Sequence, residues 1–107
     1  MANGVFDVEL KIGTVESAED FSEAEKPEMM KLWISIGEEK FQSAAQLGYN
    51  YTPDKVEGLQ VLCATDLGEV RIAGFKSQVL TVGVPDEDGN PVLVRPDTEV
   101  PEDGELY

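Results

Sequence analysis

Alternating hydrophobic and polar residues predict β-strands along most of this chain. The clearest alternation covers residues 30–36, where four apolar side chains alternate with Lys31, Trp33 and Ser35. A period of two places neighbouring side chains on opposite faces of a strand. Gly37-Glu38 predicts a turn into a third strand over residues 39–45, and the two strands would form a hairpin.

The first strand is predicted over residues 5–15. Its apolar face would carry Phe6, Val8, Leu10 and Ile12. Gly13 would let this strand bend sharply, as the corners of a barrel require. The acidic segment 16–28, which contains Pro27, predicts a loop.

One short helix is predicted between the third and fourth strands. Thr52 is a candidate N-cap, Pro53 suits the first helical position and Gly58 is a plausible C-terminal stop. The continuous apolar run of residues 59–65 then predicts a buried strand.

Further β-structure is predicted in the last third of the chain. Residues 71–84 form a long β-type segment that Gly74 interrupts. Residues 86–90 predict a hairpin turn, because Asp, Gly and Asn tolerate the positive φ that such a turn needs. The chain would return as a strand over residues 91–95, and the acidic, proline-containing tail 96–107 would be extended on the surface.

These elements predict an all-β fold. Five or six strands at short spacing, with turns between them, indicate a sandwich or a barrel. A five-stranded barrel with one short helix between strands 3 and 4 has the order of the oligonucleotide/oligosaccharide-binding (OB) fold, which periodicity alone leaves as one candidate among several. The 107 residues are expected to form one domain, residues 1–107.

The charge balance is strongly acidic. The sequence has 22 Asp and Glu against 8 Lys and Arg, for a net charge of −14, yet 41% of its residues are hydrophobic, which excludes a disordered acidic tail. A positively charged partner would explain the acidity. Adaptation to molar salt, where the Debye length falls to about 3 Å, would also explain it. Because the acids are spread along the whole chain, the composition favours a halophilic source.

The residue types that most reactive sites need are missing from the sequence. It contains no histidine and one cysteine, Cys63, which excludes Ser–His and Cys–His nucleophiles and a thiolate zinc site. Carboxylate pairs arise by chance among 22 acids, so no catalytic set can be assigned. We therefore expect a binding protein and not an enzyme, with no metal site and no cofactor.

Two sequence features indicate a cytoplasmic location. A single cysteine is consistent with a reducing compartment. The N-terminal ten residues lack the basic and apolar regions of a signal peptide. No stretch approaches the roughly 20 apolar residues of a membrane helix, so membrane insertion is not expected.

Trp33 is predicted to face outward, beside Lys31. It would serve as a stacking platform, as a subunit contact, or as a side chain covered by a loop or the tail. The aromatic and basic residues that would suit a nucleic acid or an extended peptide are Lys11, Lys31, Trp33, Phe75 and Lys76.

Several motifs resemble those of a known family. They are Lys26-Pro27, residues 31–34 (KLWI) with Gly37, residues 42–46 (QSAAQ), residues 51–53 (YTP) with Gly58, residues 71–80 (RIAGFKSQVL), and residues 85–101 with Gly104. On these motifs the chain resembles the tRNA-binding-domain family, which has the OB fold, and within it the CsaA export-chaperone branch. The acidity would make it a halophilic archaeal member.

The resemblance implies a cytoplasmic homodimer whose interface is built by N- and C-terminal extensions, about residues 1–5 and 96–107. It also implies binding of tRNA or of unfolded or preprotein peptides. The ligand surface carried over by motif contains Ser43, Gln46, Phe75, Lys76 and Ser77. Lys11 and Lys31 are added from the strand alternation.

The dependence of binding affinity on salt concentration favours peptide binding over tRNA binding. A protein with six to ten phosphate contacts loses roughly 10³–10⁵ in affinity between 50 and 200 mM salt, whereas salting-out ions strengthen apolar contacts. Two segments are less basic here than is usual in the family, Glu9-Leu10-Lys11 and Gly68-Glu69-Val70. We therefore expect an export-related chaperone that binds peptides, with tRNA binding, including service as an accessory to an aminoacyl-tRNA synthetase, as the alternative.

Overall fold

The computed structural model describes residues 7–104 and residue 106. The described residues form nine strands and one short helix. The strands are β1 Leu10–Asp20, β2 Met30–Ile36, β3 Glu39–Ala45, β4 Gln60–Ala64, β5 Val70–Ile72, β6 Phe75–Ser77, β7 Leu80–Thr81, β8 Gly83–Pro85 and β9 Pro91–Leu93. The helix, α1 Pro53–Val56, lies between β3 and β4. The prediction of an all-β, OB-like fold is confirmed.

The main sheet has five strands in the order β3-β2-β1-β4-β7. All its pairings are antiparallel. β1 serves both halves of the sheet, because its first part pairs with β4 and its second part with β2. A β-bulge between Val15 and Ser17 bends the strand where it passes from one neighbour to the other.

Gly13 lies next to this crossover, whereas the bend that was predicted at Gly13 lies at the bulge between Val15 and Ser17. A Cβ atom at Gly13 would come within 2.6 Å of the Ile34 Cγ2 atom and 2.9 Å of the Ser35 carbonyl oxygen. No side chain fits into that space without displacing β2. Glycine is therefore required by the close approach of two strands.

The predicted extent of β1 was wrong. The strand begins at Leu10 and continues to Asp20, so residues 16–20 belong to β1 and not to a loop. The ladder with β2 extends to the pair Asp20↔Met30. The acidic side chains of this part of the strand face solvent, and an acidic composition is also typical of a loop. Before the bulge the buried positions are Gly13 and Val15, whereas Leu10 and Ile12 are only half-buried. Residues 5 and 6 of the predicted strand lie outside the described residues.

The core lies between the concave face of the main sheet and α1. The bounds predicted for β2 and β3 are confirmed, and the four apolar residues of β2 point inward. Val56 is the helix residue that packs into the core. The largest fully buried side chains are Met30, Leu32, Ile34, Val15, Val56, Val61, Cys63 and Ser43.

The segment 71–84 was predicted as one long β-type segment that Gly74 interrupts. The interruption is confirmed, but the segment contains parts of four separate strands, β5 to β8. β5 and β6 form a hairpin that turns at Ala73-Gly74, where both residues have positive φ (47° and 83°). Two successive positive φ values make the turn whose twist matches a two-stranded ribbon. We call this hairpin, residues 70–77, the hairpin arm.

The barrel closes between β3 and residues 76–81. The Gln42 carbonyl oxygen accepts the Gln78 N–H (2.7 Å), and the Gln42 N–H donates to Oε1 of Gln78 (2.9 Å). The Ala44 N–H donates to the Ser77 hydroxyl (3.0 Å). The motifs at residues 42–46 and 71–80 therefore contact each other, and side-chain hydrogen bonds replace part of a regular ladder at the seam.

The predicted turn at residues 86–90 is confirmed. It joins β8 and β9, and the Asp86 Oδ1 atom accepts the backbone N–H groups of Asp88 (2.8 Å) and Asn90 (2.9 Å). Asn90 contributes most to lowering the pKa of Asp86, followed by the Asn50 side chain. β9 ends at Leu93, two residues before the predicted end.

The described part of the C-terminal extension lies on its own barrel. The Gln60 side chain donates to the Val100 carbonyl oxygen (2.7 Å) and accepts the Val100 N–H (2.9 Å). Nζ of Lys11 forms a salt bridge with Asp103 (2.7 Å). These contacts fasten the extension to β1 and β4.

Candidate ligand-binding groove

A groove with a volume of about 1150 Å³ opens beside β3. We call it the apolar groove. Two of its walls are residues 23–26 of the β1–β2 loop and residues 70–73 of the hairpin arm. The remaining lining comes from Met29, residues 44–47, Ser77, residues 80–85, Gly89 and Pro91.

The groove concentrates exposed apolar side chains. Among the described residues, five large hydrophobic side chains are exposed, and three of them line the groove: Val70 (58%), Leu80 (52%) and Val84 (51%). Single exposed hydrophobic residues are ordinary on a protein surface, whereas clustered ones mark binding sites. Three of the five large exposed hydrophobic side chains of the described residues therefore lie in one groove.

Charged residues of both signs also line the groove. Lys26 and Arg71 lie on different walls, and Glu23 and Glu25 share the wall of Lys26. None of these four side chains forms a salt bridge within the described part of the chain. The groove therefore combines an apolar surface with charges that are free to meet a ligand.

Three aromatic rings and one lysine form a cluster next to the groove, which we call the aromatic cluster. The ring of Phe75 makes edge-to-face contacts with Phe21 (centroids 5.5 Å apart) and Trp33 (5.6 Å). The Lys31 Nζ atom lies 4.9 Å from the Phe21 centroid and 5.3 Å from that of Phe75. Trp33 is half-buried on the outer face of β2, where a segment of the same chain covers part of it.

Ser43 and Ser77, both predicted ligand residues, belong to the barrel seam. Ser43 is fully buried, and its hydroxyl forms a hydrogen bond with the Thr81 hydroxyl (2.8 Å). Ser77 is also buried and holds the Ala44 N–H, although it lines the groove as well. Their first role in this geometry is to close the barrel.

Three other predicted residues lie at or beside the groove. Gln46 lines it and donates from Nε2 to the Pro27 carbonyl oxygen (2.8 Å). Lys31 and Phe75 belong to the aromatic cluster next to it. Gln46 thus contacts the residue that follows the wall of residues 23–26, and Lys31 and Phe75 contact Phe21, which precedes that wall.

The two remaining predicted residues differ in position. Lys76 lies on the hairpin arm with its Nζ atom 3.9 Å from Glu69. Lys11 is paired with Asp103, whose carboxylate lies near Gly37, at the opposite end of the β2–β3 hairpin from the groove. The structure therefore brings Lys31, Gln46, Phe75, Lys76 and Ser77 together and does not bring Lys11 to them.

Sequence analysis missed the residues that give the groove its apolar character. Leu80, Val82 and Val84 recur at every second position, and all three line the groove. That spacing was visible within the segment predicted as one long strand. The contribution of Val70 was not visible, because the hairpin arm folds back only in the tertiary structure.

The structure offers neither a reactive thiol nor a metal site among the described residues. Cys63 is buried, and loss of hydration raises the pKa of its thiol to about 12. Across residues 7–104 and 106, no group of three or more His, Cys, Asp or Glu is placed to hold a metal ion. The same residues contain no helix long and apolar enough to span a membrane.

The family follows from comparison with known proteins. The family model described as "Putative tRNA binding domain" matches residues 10–104, which include the whole groove. The chain belongs to the tRNA-binding-domain family. This confirms the family that the motifs indicated.

Solved structures of similar fold include two chaperones. The structure of CsaA from Bacillus anthracis str. Ames has 36% sequence identity and a TM-score of 0.86, covering 94% of this chain and 91% of its own. The CsaA chaperone protein of Picrophilus torridus has 29% identity and a TM-score of 0.84, covering 94% and 92%. Both are similar to this tRNA-binding-domain chain over nearly their whole length.

Curated relatives of this family member include methionine–tRNA ligases. The ligase of Chlorobium chlorochromatii is 35% identical over 92 residues, and that of Methanothrix thermoacetophila is 34% identical over 94 residues. These alignments cover 86% and 88% of this chain but only 13% and 14% of the ligases. The chain therefore corresponds to a small part of each ligase.

Proposed function

We propose that this protein is a non-enzymatic, CsaA-like chaperone that binds apolar segments of unfolded or preprotein chains in the apolar groove. The observation that carries the proposal is the convergence of Val70, Leu80 and Val84, each more than half exposed, on one groove. The similarity to two solved structures of CsaA chaperones supports it.

The size of the groove suits a peptide segment. Small-molecule pockets usually measure about 300–1,000 Å³, and this groove measures about 1150 Å³. An extended chain advances about 3.3 Å per residue and points alternate side chains the same way. A short extended segment can thus place several apolar side chains in the groove.

The charge of the protein also favours a peptide ligand. A net charge of −14 repels phosphate groups, and molar salt removes most of the counterion-release term on which phosphate binding relies. Apolar contacts gain strength from salting-out ions. If the acidity reflects a halophilic source, peptide binding is the function that would persist in its cytoplasm.

Aggregation of an unfolded client protein tests the proposal. Leu80→Ser should weaken suppression of aggregation in molar KCl, because it removes an apolar contact from the groove. The matched control is Leu67→Ser, since Leu67 is equally exposed (55%) and does not line the groove. Equal activity of the two variants would contradict the groove as the peptide site.

The second candidate function is tRNA binding, alone or as an accessory to an aminoacyl-tRNA synthetase. Four of the eight bases in the sequence, Lys26, Lys31, Arg71 and Lys76, lie in the groove or beside it. The name of the family and the similarity to methionine–tRNA ligases also favour this candidate.

Retention of tRNA in molar KCl distinguishes the two functions. Submicromolar, structure-dependent tRNA binding that is weakened by Arg71→Ala would favour tRNA binding over the chaperone function. Lys55→Ala is the control, because Lys55 is an exposed base on α1 and does not line the groove. Suppression of client aggregation without affinity for RNA would support the chaperone, and co-purification with a synthetase would support the accessory role.

A further inference from the structure

The contact between Phe21 and Phe75 joins the two walls of the groove. Phe21 directly follows β1, and the wall of residues 23–26 begins two residues later. Phe75 begins β6 and is paired with Ile72 of the other wall. The 5.5 Å ring contact therefore links segments that are more than 50 positions apart in the sequence.

Two residues of β2 also contact this pair of rings. Trp33 and Lys31 lie on β2, whose inward side chains are buried in the core. Trp33 presents its ring edge-to-face to Phe75, and the Lys31 ammonium group lies over both phenyl rings. Edge-to-face and cation–π geometries are both attractive, so the position of Phe75 is set by three neighbours.

The outer strand of the hairpin arm has little other support. Val70 and Arg71 of β5 are exposed, and β5 pairs only with β6 within the described residues. β6 is held to β3 by hydrogen bonds from Gln42 Nε2 to the Lys76 carbonyl oxygen (2.9 Å) and from the Ala44 N–H to the Ser77 hydroxyl (3.0 Å). β5 is therefore positioned through β6, whose first residue is Phe75.

We propose that Phe75 is a positioning residue whose contacts with Phe21 and Lys31 set the width of the apolar groove. The width determines which apolar side chains enter between the walls. This inference rests on the proposed function, which supplies the peptide ligand. It adds that Phe75 determines which sizes of apolar side chain the groove accepts.

Binding of short peptides tests the selectivity. The probes are synthetic eight-residue peptides that differ only in whether their apolar positions carry Val, Leu or Phe. Trp33 is the only tryptophan in the sequence and contacts Phe75, so its fluorescence reports binding directly. In Phe75→Leu the ratio of affinities between the Val and Phe peptides should change by about 2- to 12-fold, as expected for the loss of one aromatic contact. Phe75→Tyr keeps the ring and should keep the ratio.

Hydrogen exchange without any peptide separates this inference from the proposed function. In Phe75→Leu, and equally in Phe21→Leu, exchange of backbone amides should rise in residues 23–26 and 70–73 together. Val61→Ala is the control, because Val61 is buried in β4 and does not line the groove. It should lower stability without raising exchange in both walls.

The outcomes are distinct. If no peptide binds but exchange in the two walls rises together, the positioning role stands and the proposed function fails. If peptides bind and Phe75→Leu leaves their affinity ratio unchanged, the positioning role is overturned. The same conclusion follows if exchange rises in the hairpin arm alone. If Phe75→Leu does not fold, Phe21→Leu and Phe75→Tyr decide by the same two measurements.

Discussion

The Glu102 carboxylate accepts a hydrogen bond from the backbone N–H of Gly37 at 2.8 Å. The same carboxylate accepts hydrogen bonds from the Ser35 hydroxyl (2.9 Å) and the Thr14 hydroxyl. One side chain near the end of the chain thus joins β1, β2 and the turn between β2 and β3. The C-terminal extension is therefore part of the folded barrel.

Glu102→Ala should lower the free energy of unfolding by about 1–3 kcal/mol, because it leaves three donors without their charged acceptor. Urea denaturation measures the change. The control is Glu99→Ala, which removes the same charge from an exposed position where the side chain makes no hydrogen bond to another described residue. A loss of equal size in the control would attribute the effect to charge alone.

Removal of residues 101–107 tests the proposed homodimer. The family resemblance implies that the extensions form the dimer interface, and the deletion should then release monomers in analytical sedimentation. Because the deletion also removes Glu102 and Asp103, the truncated chain should be less stable, and Glu102→Ala controls for that loss. A truncated chain that stays dimeric would show that this segment does not form the interface.

Ser43→Ala should destabilise the protein by about 1–3 kcal/mol, because it leaves the buried Thr81 hydroxyl without a partner. Adding Thr81→Val should recover part of the loss, since replacing both partners by apolar groups leaves no unsatisfied hydroxyl. A double-mutant cycle measures the coupling. If the double variant binds the ligand normally, Ser43 acts only in the seam; a loss of binding at restored stability would support the predicted ligand role.

Asp86 should make stability depend on pH in the acid range. Its pKa is lowered in the folded state, so its contribution is present above the unfolded value of about 3.9 and is lost as pH falls through the folded pKa. The difference in unfolding free energy between the native protein and Asp86→Asn should therefore shrink between pH 6 and pH 2.5. Asp88→Asn removes a charge from the same turn, and the Asp88 side chain accepts no hydrogen bond there. An equal pH effect in that control would refute the role of the turn hydrogen bonds.

The elements predicted correctly are those whose cause is local. Residues 30–45 form the predicted hairpin because apolar residues at every second position must face the core. The turn at residues 86–90 forms because the Asp86 carboxylate accepts two backbone N–H groups within four residues. Neither element needs a distant segment to define it.

The errors arose where a distant segment decides the outcome. β1 continues through acidic residues because β2 lies beside it as far as Met30. The hairpin arm folds back at Ala73-Gly74, where alanine has a positive φ that no sequence pattern announced. The predicted site residues were partly brought together, but Lys11 was drawn to Asp103 at the other end of the β2–β3 hairpin.

The sequence alone determined the strand periodicity, the turn residues, the acidic surface and the family, because each follows from neighbouring residues or from a recognisable motif. Only the tertiary structure decided that Phe21 meets Phe75, that Gln42 meets Gln78, and that three exposed apolar side chains share one groove. The reason is that barrel closure sets contacts between residues 33 or more positions apart, and the bulge and turn geometry behind those contacts leaves no periodic pattern in the sequence.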